Sequence, residues 1–263
     1  MGGSMSDIKT TLGDYGYLAA LKKLEAALAP NGDWTAANQA AAEYDRKMRV
    51  EAARQSWLKF IKRGGLEKFA EEIAKIEVTG SDEHKRFISQ YLDGFEKVFN
   101  RKKPGMFVSG GTGIGKTYNA VMFCKNAMWA ADFTRVVKTE WAGKVYENLV
   151  PAVCFYSTSS RLLDRLSDWR GGDSKESVMA EVRAADIAVI DDVGVPSELG
   201  KKNGEVGMIN ELLRTKPTGL ILQTRLSPGA FAEIFGESCA DIVRRFAQPY
   251  TAGCQSRRKW GAA

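Results

Sequence analysis

Residues 110–117 have the sequence GGTGIGKT, and this stretch decides the fold. It fits the pattern G-x-x-x-x-G-K-[ST] of a phosphate-binding loop, with Lys116 and Thr117 at its two functional positions. The preceding residues, 106–109, are typical of a short buried strand, and residues 116–130 carry apolar side chains at helical spacing. A strand, a glycine-rich turn and a helix in this order give the motif the context that phosphate binding requires.

The loop predicts a site for ATP and Mg²⁺. Glycines let backbone N–H groups point inward, and the helix N-terminus adds the positive end of its dipole. Lys116 is predicted to reach the β- and γ-phosphates, and the Thr117 hydroxyl to be a ligand of Mg²⁺. The predicted nucleotide contacts are the whole loop and the residue after it: Gly110, Gly111, Thr112, Gly113, Ile114, Gly115, Lys116, Thr117 and Tyr118.

A second apolar run, residues 186–192, ends in two adjacent carboxylates, Asp191 and Asp192. A buried strand with an acidic end, downstream of a phosphate loop, is the second half of a nucleotide hydrolysis site. Asp191 is predicted to hold Mg²⁺, directly or through water, and Asp192 to orient or deprotonate the attacking water. A small-molecule kinase is disfavoured, because such an enzyme usually has a single acid at this place.

Two further positions are candidates for catalysis, and each has a structural alternative. Thr224 ends the strand predicted over 219–224, beside the strand of Asp191, and is predicted to sense the γ-phosphate. The alternative is a buried hydroxyl at a strand end. Arg245 lies in a helix predicted over 238–246 and is predicted to reach the ATP of a neighbouring subunit. The alternative is a surface arginine paired with Asp241.

Composition limits the class of protein. The chain has 263 residues, with 44% hydrophobic and 27% charged residues, which suits one α/β domain of roughly 180–200 residues and a smaller part. No apolar run is long enough to span a membrane. The four cysteines form no C-x-x-C pair and there is one histidine, which argues against zinc and favours a cytoplasmic location. The net charge of +6 permits nucleic acid as a partner.

The N-terminal part is predicted to be helical, with helices over residues 14–29 and from Asp33 to about residue 63. Trp57, Leu58 and Phe60 lie together without an obvious counterpart in the chain. This favours a partner-binding domain over residues 5–63, although a helical hairpin that covers the main domain is an alternative.

The rest of the chain, residues 66–263, is predicted to be the ATPase domain, with Gly64-Gly65 at the boundary. Strands that alternate with helices after residue 105 predict a parallel sheet covered by helices on both faces. Residues 131–150 have a mixed pattern that predicts no single element. The remaining predicted helices and strands cover residues 66–76, 82–99, 152–156, 159–169, 174–184 and 204–215, with a further helix that begins at Ser227-Pro228.

Five segments over roughly residues 66–258 carry a family resemblance: the phosphate loop, FYSTSSRLLDRL at 155–166, IAVIDDVG at 187–194, LILQTRLSP at 220–228 and FGESCADIVRRF at 235–246. Together they resemble the AAA+ ATPases that load the bacterial replicative helicase (DnaC/DnaI-like). The IstB-type transposition ATPases share the pattern. The resemblance implies a P-loop NTPase fold of AAA+ type and self-assembly through the ATPase domains. It also implies that the N-terminal helices bind a DnaB-type replicative helicase and that the ATPase part holds single-stranded DNA.

The chain departs from this family at two places. Arg225 stands at the position where the family usually has its sensor asparagine. The family's arginine-finger segment maps onto Gly236-Glu237 and, after a longer gap, onto Arg245, with Arg244 as the alternative finger. A transposition helper that binds duplex DNA is the close alternative function, and a nucleotide-gated adaptor with weak hydrolysis is a third. The residues predicted to contact DNA are basic: Arg161, Arg165, Arg170, Lys175 and the tail 257–260.

Overall fold

The computed structural model of the chain describes residues 34–67, 70, 82–129, 135–141, 144–167, 174–194, 199–216 and 218–252. Several predictions lie outside these residues: the helix over 14–29, the helix cap at Asp33, most of the helix over 66–76, Arg170 and the basic tail. Within them, no helix combines the length and the apolar character that crossing a bilayer requires.

Helices and strands alternate along the described chain. In order, the elements are α1 (Trp34–Gly64), α2 (Asp82–Phe99), β1 (Gly105–Gly110), α3 (Lys116–Trp129), β2 (Arg135–Trp141), β3 (Lys144–Val150), β4 (Cys154–Thr158), α4 (Ser159–Ser167), α5 (Lys175–Ala184), β5 (Ile187–Val193), α6 (Leu199–Thr215), β6 (Leu220–Thr224), α7 (Pro228–Phe235), α8 (Glu237–Phe246) and β7 (Ala247–Ala252). Two helix starts follow directly from the sequence, because the side chains of Ser174 and Ser227 accept hydrogen bonds from Ser177 N and Ala230 N.

The chain divides into two compact units, Met1–Gln55 and Ser56–Ala263. The described residues of the first unit, 34–55, are helical. All strands and the other described helices belong to the second unit. The functional division into residues 5–63 and 66–263 stays a prediction.

The expectation that Trp57 and Phe60 lack counterparts in the chain is wrong. Phe60 is buried in the core of the second unit, and its ring stacks on Trp57 at 5.6 Å between centroids. Trp57 in turn meets Trp129, the last residue of α3, at 6.0 Å. Of the three side chains only Leu58 is exposed. The sequence pattern could not reveal Trp129 and the core of the second unit as partners, because these residues lie far along the chain.

Five strands form one wholly parallel sheet in the order β4-β5-β6-β1-β7. The predicted α/β fold with a parallel sheet is therefore confirmed. Strand β7 was not predicted, because Pro249 interrupts its sequence and proline cannot donate to a strand ladder. It is accommodated because β7 lies at the edge, where β1 is its neighbour. The helix α8, which carries Arg245, is therefore followed by one more strand of the sheet.

Side chains alternate between the two faces of the sheet, and each face has its own helical layer. One face packs against α2, α3 and the end of α1, and its strand residues include Met106, Val108, Tyr156, Val189 and Ile221. The other face packs against α4 to α8, and its strand residues include Phe107, Phe155, Ile190 and Leu222. The prediction of helices on both faces is confirmed.

Strands β2 and β3 pair as an antiparallel hairpin, separate from the main sheet. The register pairs Arg135 with Val150 and Trp141 with Lys144. This hairpin accounts for most of the segment whose sequence pattern predicted no single element.

Candidate nucleotide-binding site

The phosphate loop connects β1 to α3 at the carboxyl end of a parallel strand, the usual place for ligands in such sheets. Gly113 and Gly115 have φ angles of +81° and +97°, a left-handed conformation that side chains rarely adopt. A Cβ added at Gly111 would meet no atom within 4 Å, so the backbone there faces open space. The loop is thus shaped for close approach of a ligand to its backbone.

Lys116 lies against its own loop. Its ammonium donates to the carbonyl oxygens of Gly110 at 2.7 Å and Gly111 at 2.9 Å, and the residue is buried. Carbonyl oxygens are neutral acceptors, whereas phosphate oxygens give stronger, charge-assisted hydrogen bonds. The phosphates of an entering nucleotide could therefore replace the two carbonyl oxygens as hydrogen-bond acceptors of the Lys116 ammonium.

Asp191 is the best-anchored carboxylate of the site. Its Oδ2 accepts hydrogen bonds from the Thr117 hydroxyl at 2.5 Å and from the Tyr156 hydroxyl at 2.9 Å. Its Oδ1 accepts from the backbone N–H of Asp192 at 2.8 Å. Asp191 is only 1% exposed, and this burial raises its pKa, while the hydrogen bond from Thr117 opposes the shift. The two halves of the site predicted from sequence are thus in direct contact.

The contact between Thr117 and Asp191 suits Mg²⁺. Both residues supply hard oxygen atoms, which this ion prefers, and Mg²⁺ is usually held by one or two carboxylates together with phosphate oxygens and water. No group of three or more histidine, cysteine, aspartate or glutamate side chains that could hold a metal occurs among the described residues. A hydroxyl and a carboxylate fit an ion that takes its other ligands from phosphate oxygens and water.

A bulge in β5 separates the two carboxylates. Ile190 pairs with Leu222 and Val193 with Thr224, so Asp191 and Asp192 together stand opposite one residue of β6. Asp192 has a φ of +52°, and its side chain is 40% exposed, in contrast to the buried Asp191. This difference in surroundings is what separate roles for the two acids require.

Arg225 is the side chain that reaches Asp192. Its Nε and Nη2 atoms donate to Asp192 Oδ1 at 3.2 Å and 3.1 Å. Thr224 instead is fully buried, and its hydroxyl donates to the backbone oxygen of Val193 at 2.7 Å. The Thr224 hydroxyl is thus buried and hydrogen-bonded at a strand end, as the structural alternative describes. A sensor role for Thr224 stays a prediction.

Sequence reasoning gave no role to two residues that contact the site, Tyr156 and Gln223. Gln223 Nε2 donates to Lys116 O at 3.2 Å and to the Tyr91 hydroxyl, and its Oε1 is buried without a partner. Strand alternation carried a signal for both, because Tyr156 and Gln223 have the same parity as the residues of their strands that face α3.

Tyr118 and the two arginines of α8 make local contacts. The Tyr118 hydroxyl donates to Met122 Sδ at 3.2 Å, one turn further along α3. Arg245 pairs with Asp241 at 2.6 Å and Arg244 with Glu237 at 3.2 Å, and both arginines are exposed. Within one chain Arg245 thus has the partner that the structural alternative names, and its role toward a neighbouring subunit stays a prediction.

Two of the predicted DNA contacts are paired with acids. Arg165 donates to Glu181 at 2.9 Å, and Lys175 meets Glu211 at 3.0 Å. Arg161 is exposed, and its guanidinium lies close over Gly65. Binding of single-stranded DNA at these residues stays a prediction.

No family model and no curated protein matches the chain. Solved structures similar to it include the DnaC helicase loader, with 12% identity and a TM-score of 0.49 over 74% of this chain and 98% of that one. DnaI is similar with 11% identity and a TM-score of 0.45 over 69% of this chain and 93% of that one. AMPPCP-bound DnaA from Aquifex aeolicus has 14% identity and a TM-score of 0.44 over 66% of this chain and 48% of that one. DnaC and DnaI, which the sequence motifs resemble, are thus among these structures.

Proposed function

We propose that this protein is an ATP-dependent loader of the replicative DNA helicase onto single-stranded DNA during replication initiation. The observation that carries the ATPase part is the contact between Thr117 of the phosphate loop and Asp191 of β5. The loader part is supported by the five sequence segments that resemble the DnaC/DnaI-like family.

The proposed reaction is hydrolysis of ATP to ADP and phosphate. Lys116 exchanges its carbonyl acceptors for the β- and γ-phosphates, and Thr117 and Asp191 hold Mg²⁺, which neutralises phosphate charge. Asp192, more exposed than Asp191, orients or deprotonates the attacking water. Thr224 is the proposed γ-phosphate sensor, and Arg245 of a neighbouring subunit is the proposed finger, a contribution typically worth about 10³–10⁵ in rate.

The proposed partners follow from the family resemblance. Residues 5–63 bind a DnaB-type helicase, the ATPase domains assemble with one another, and the ATPase part holds single-stranded DNA. The cytoplasm is the proposed location.

One observation favours the alternative of a nucleotide-gated adaptor with weak hydrolysis. The ion pair with Arg225 occupies the carboxylate that would act on the attacking water. A transposition helper is the other alternative, and it differs from a loader by requiring duplex DNA and a transposase.

The ATPase assignment is tested with Lys116→Ala and Asp192→Asn. Lys116→Ala is expected to weaken ATP binding at least about 100-fold, because charge-assisted hydrogen bonds to the phosphates are lost. Asp192→Asn is expected to keep ATP binding and lose turnover. Nucleotide titration and phosphate release separate the two cases, and Lys85→Ala, which removes an exposed lysine of α2, is the matched control. Unchanged ATP affinity in Lys116→Ala would refute the site.

Loading is tested with the same variants in a transfer assay with a DnaB-type helicase and a single-stranded DNA circle. The parent chain is expected to place helicase on the circle in the presence of ATP, and Lys116→Ala to fail. No transfer by a parent chain that hydrolyses ATP, together with tight binding to duplex DNA, would favour the transposition helper.

A further inference from the structure

Tyr156 lies between the magnesium-binding carboxylate of the proposed ATPase and the end of helix α1. It belongs to β4, and strand alternation places it on the same face of the sheet as Val189, its partner in β5. Asp191 is the next residue of β5 on that face, diagonal to Tyr156. The Tyr156 hydroxyl consequently donates to Asp191 Oδ2, the oxygen atom that also accepts from Thr117.

The ring of Tyr156 is held from the side of α1. Phe60, 3% exposed, packs on it at 6.3 Å between ring centroids. One turn later, a Cβ added at Gly64 would come within 3.1 Å of Tyr156 Cδ1, so the helix backbone approaches the ring closely there. A movement of this helix end therefore has to move the tyrosine ring or lose these contacts.

The same helix end also contacts the phosphate-loop helix. Trp57 stacks on Phe60 and meets Trp129 of α3, and the ammonium of Lys125 lies 5.7 Å from the Trp57 ring centre. Residues 57–64 thus contact both the element that carries Thr117 and the side chain that holds Asp191.

We infer that Tyr156 is a positioning residue for Asp191, and that the aromatic end of α1 sets its position and thereby the affinity of the site for Mg²⁺. This inference rests on the proposed function. It adds a route by which a protein that docks on α1 changes the nucleotide site without contacting it.

The test measures the Mg²⁺ concentration that gives half-maximal binding of AMP-PCP to the full chain. Tyr156→Phe keeps the ring and removes the hydroxyl, and it is expected to raise this concentration about tenfold, since one hydrogen bond to a charged group is lost. Binding of AMP-PCP in excess EDTA is expected to stay unchanged. Tyr44→Phe, which removes a hydroxyl from the first unit, is the matched control and is expected to have no effect.

The helix end is tested with Phe60→Leu, with the exposed Leu58→Ala as control. Phe60→Leu is expected to raise the required Mg²⁺ concentration in the parent chain and to have no further effect in Tyr156→Phe, because both changes act through one side chain. An unchanged Mg²⁺ requirement in Tyr156→Phe would overturn the positioning role. An equal effect of Phe60→Leu in both backgrounds would overturn the connection to α1. A parent chain that binds AMP-PCP neither with nor without Mg²⁺ would overturn the proposed function and this inference with it.

Discussion

Replacing Arg225 by asparagine, the usual residue of the resembled family at this position, tests whether the ion pair with Asp192 restrains hydrolysis. In the structure both contacting nitrogen atoms of Arg225 donate to the same oxygen atom, Asp192 Oδ1. The carboxylate must leave this partner, or share it, before it can act on a water molecule. Arg225→Asn therefore removes a competitor for the proposed catalytic group.

The size of the effect follows from exposure. The side chains of Arg225 and Asp192 are 44% and 40% exposed, so solvent screens the pair and it contributes at most about 1 kcal/mol. A free energy of that size corresponds to about a fivefold change in the population of unpaired Asp192. We therefore expect the rate of phosphate release to rise by about twofold to fivefold in Arg225→Asn. The midpoint of thermal unfolding is expected to fall by no more than about 4 °C.

The assay is steady-state phosphate release with saturating ATP and Mg²⁺, accompanied by AMP-PCP titration. Arg183→Asn is the matched control, because Arg183 also forms an exposed ion pair, with Glu176 on α5. A decrease in rate of more than about tenfold in Arg225→Asn would refute the reasoning. A parallel loss of AMP-PCP affinity would then identify Arg225 as a phosphate ligand in place of Thr224.

Two further predictions concern stability and assembly. Burial lowers the pKa of Lys216 to about 8, so the unfolded state binds more protons between pH 8 and 10.5 and stability rises with pH across this range. Lys216→Met is expected to abolish that rise. It is also expected to stabilise the protein at pH 7 by about 2 kcal/mol in urea titrations, because a desolvation penalty of about 3 kcal/mol is removed while Ala185 O loses its hydrogen-bond donor. Lower stability at pH 7 would contradict the prediction. Mixing Arg245→Ala with Lys116→Ala is expected to restore part of the ATPase activity that each variant lacks, and parent activity in Arg245→Ala alone would exclude this residue as the finger.

The parts of the site that could be predicted from sequence are those fixed by local pattern. The glycines, Lys116 and Thr117 occupy set places in a loop whose geometry is nearly the same wherever it occurs. The contact of Thr117 with Asp191 could be expected as well, because parallel strands bring their carboxyl ends to one edge of the sheet.

The rest depended on features that a linear pattern does not carry. The bulge in β5 could not be predicted from the sequence, yet it buries the Asp191 side chain and leaves that of Asp192 partly exposed to solvent. Thr224 is a sensor candidate from sequence because it ends a strand. In the structure, alternation turns its hydroxyl toward Val193 O and puts Gln223 on the side of Lys116. The core residues that surround Phe60 from α2, α3 and the sheet are distant in sequence, so the sequence of α1 alone could not reveal them.

The two carboxylates are also connected through the backbone. The N–H of Asp192 donates to Asp191 Oδ1, while its own carboxylate is paired with Arg225. Any change in the Arg225 pair that moves the backbone of Asp192 therefore alters one of the three hydrogen bonds to Asp191. Tyr156 supplies another of these bonds from the side of α1. A nucleotide that attracts Arg225 and a partner that shifts the end of α1 would consequently act on the same buried carboxylate, Asp191.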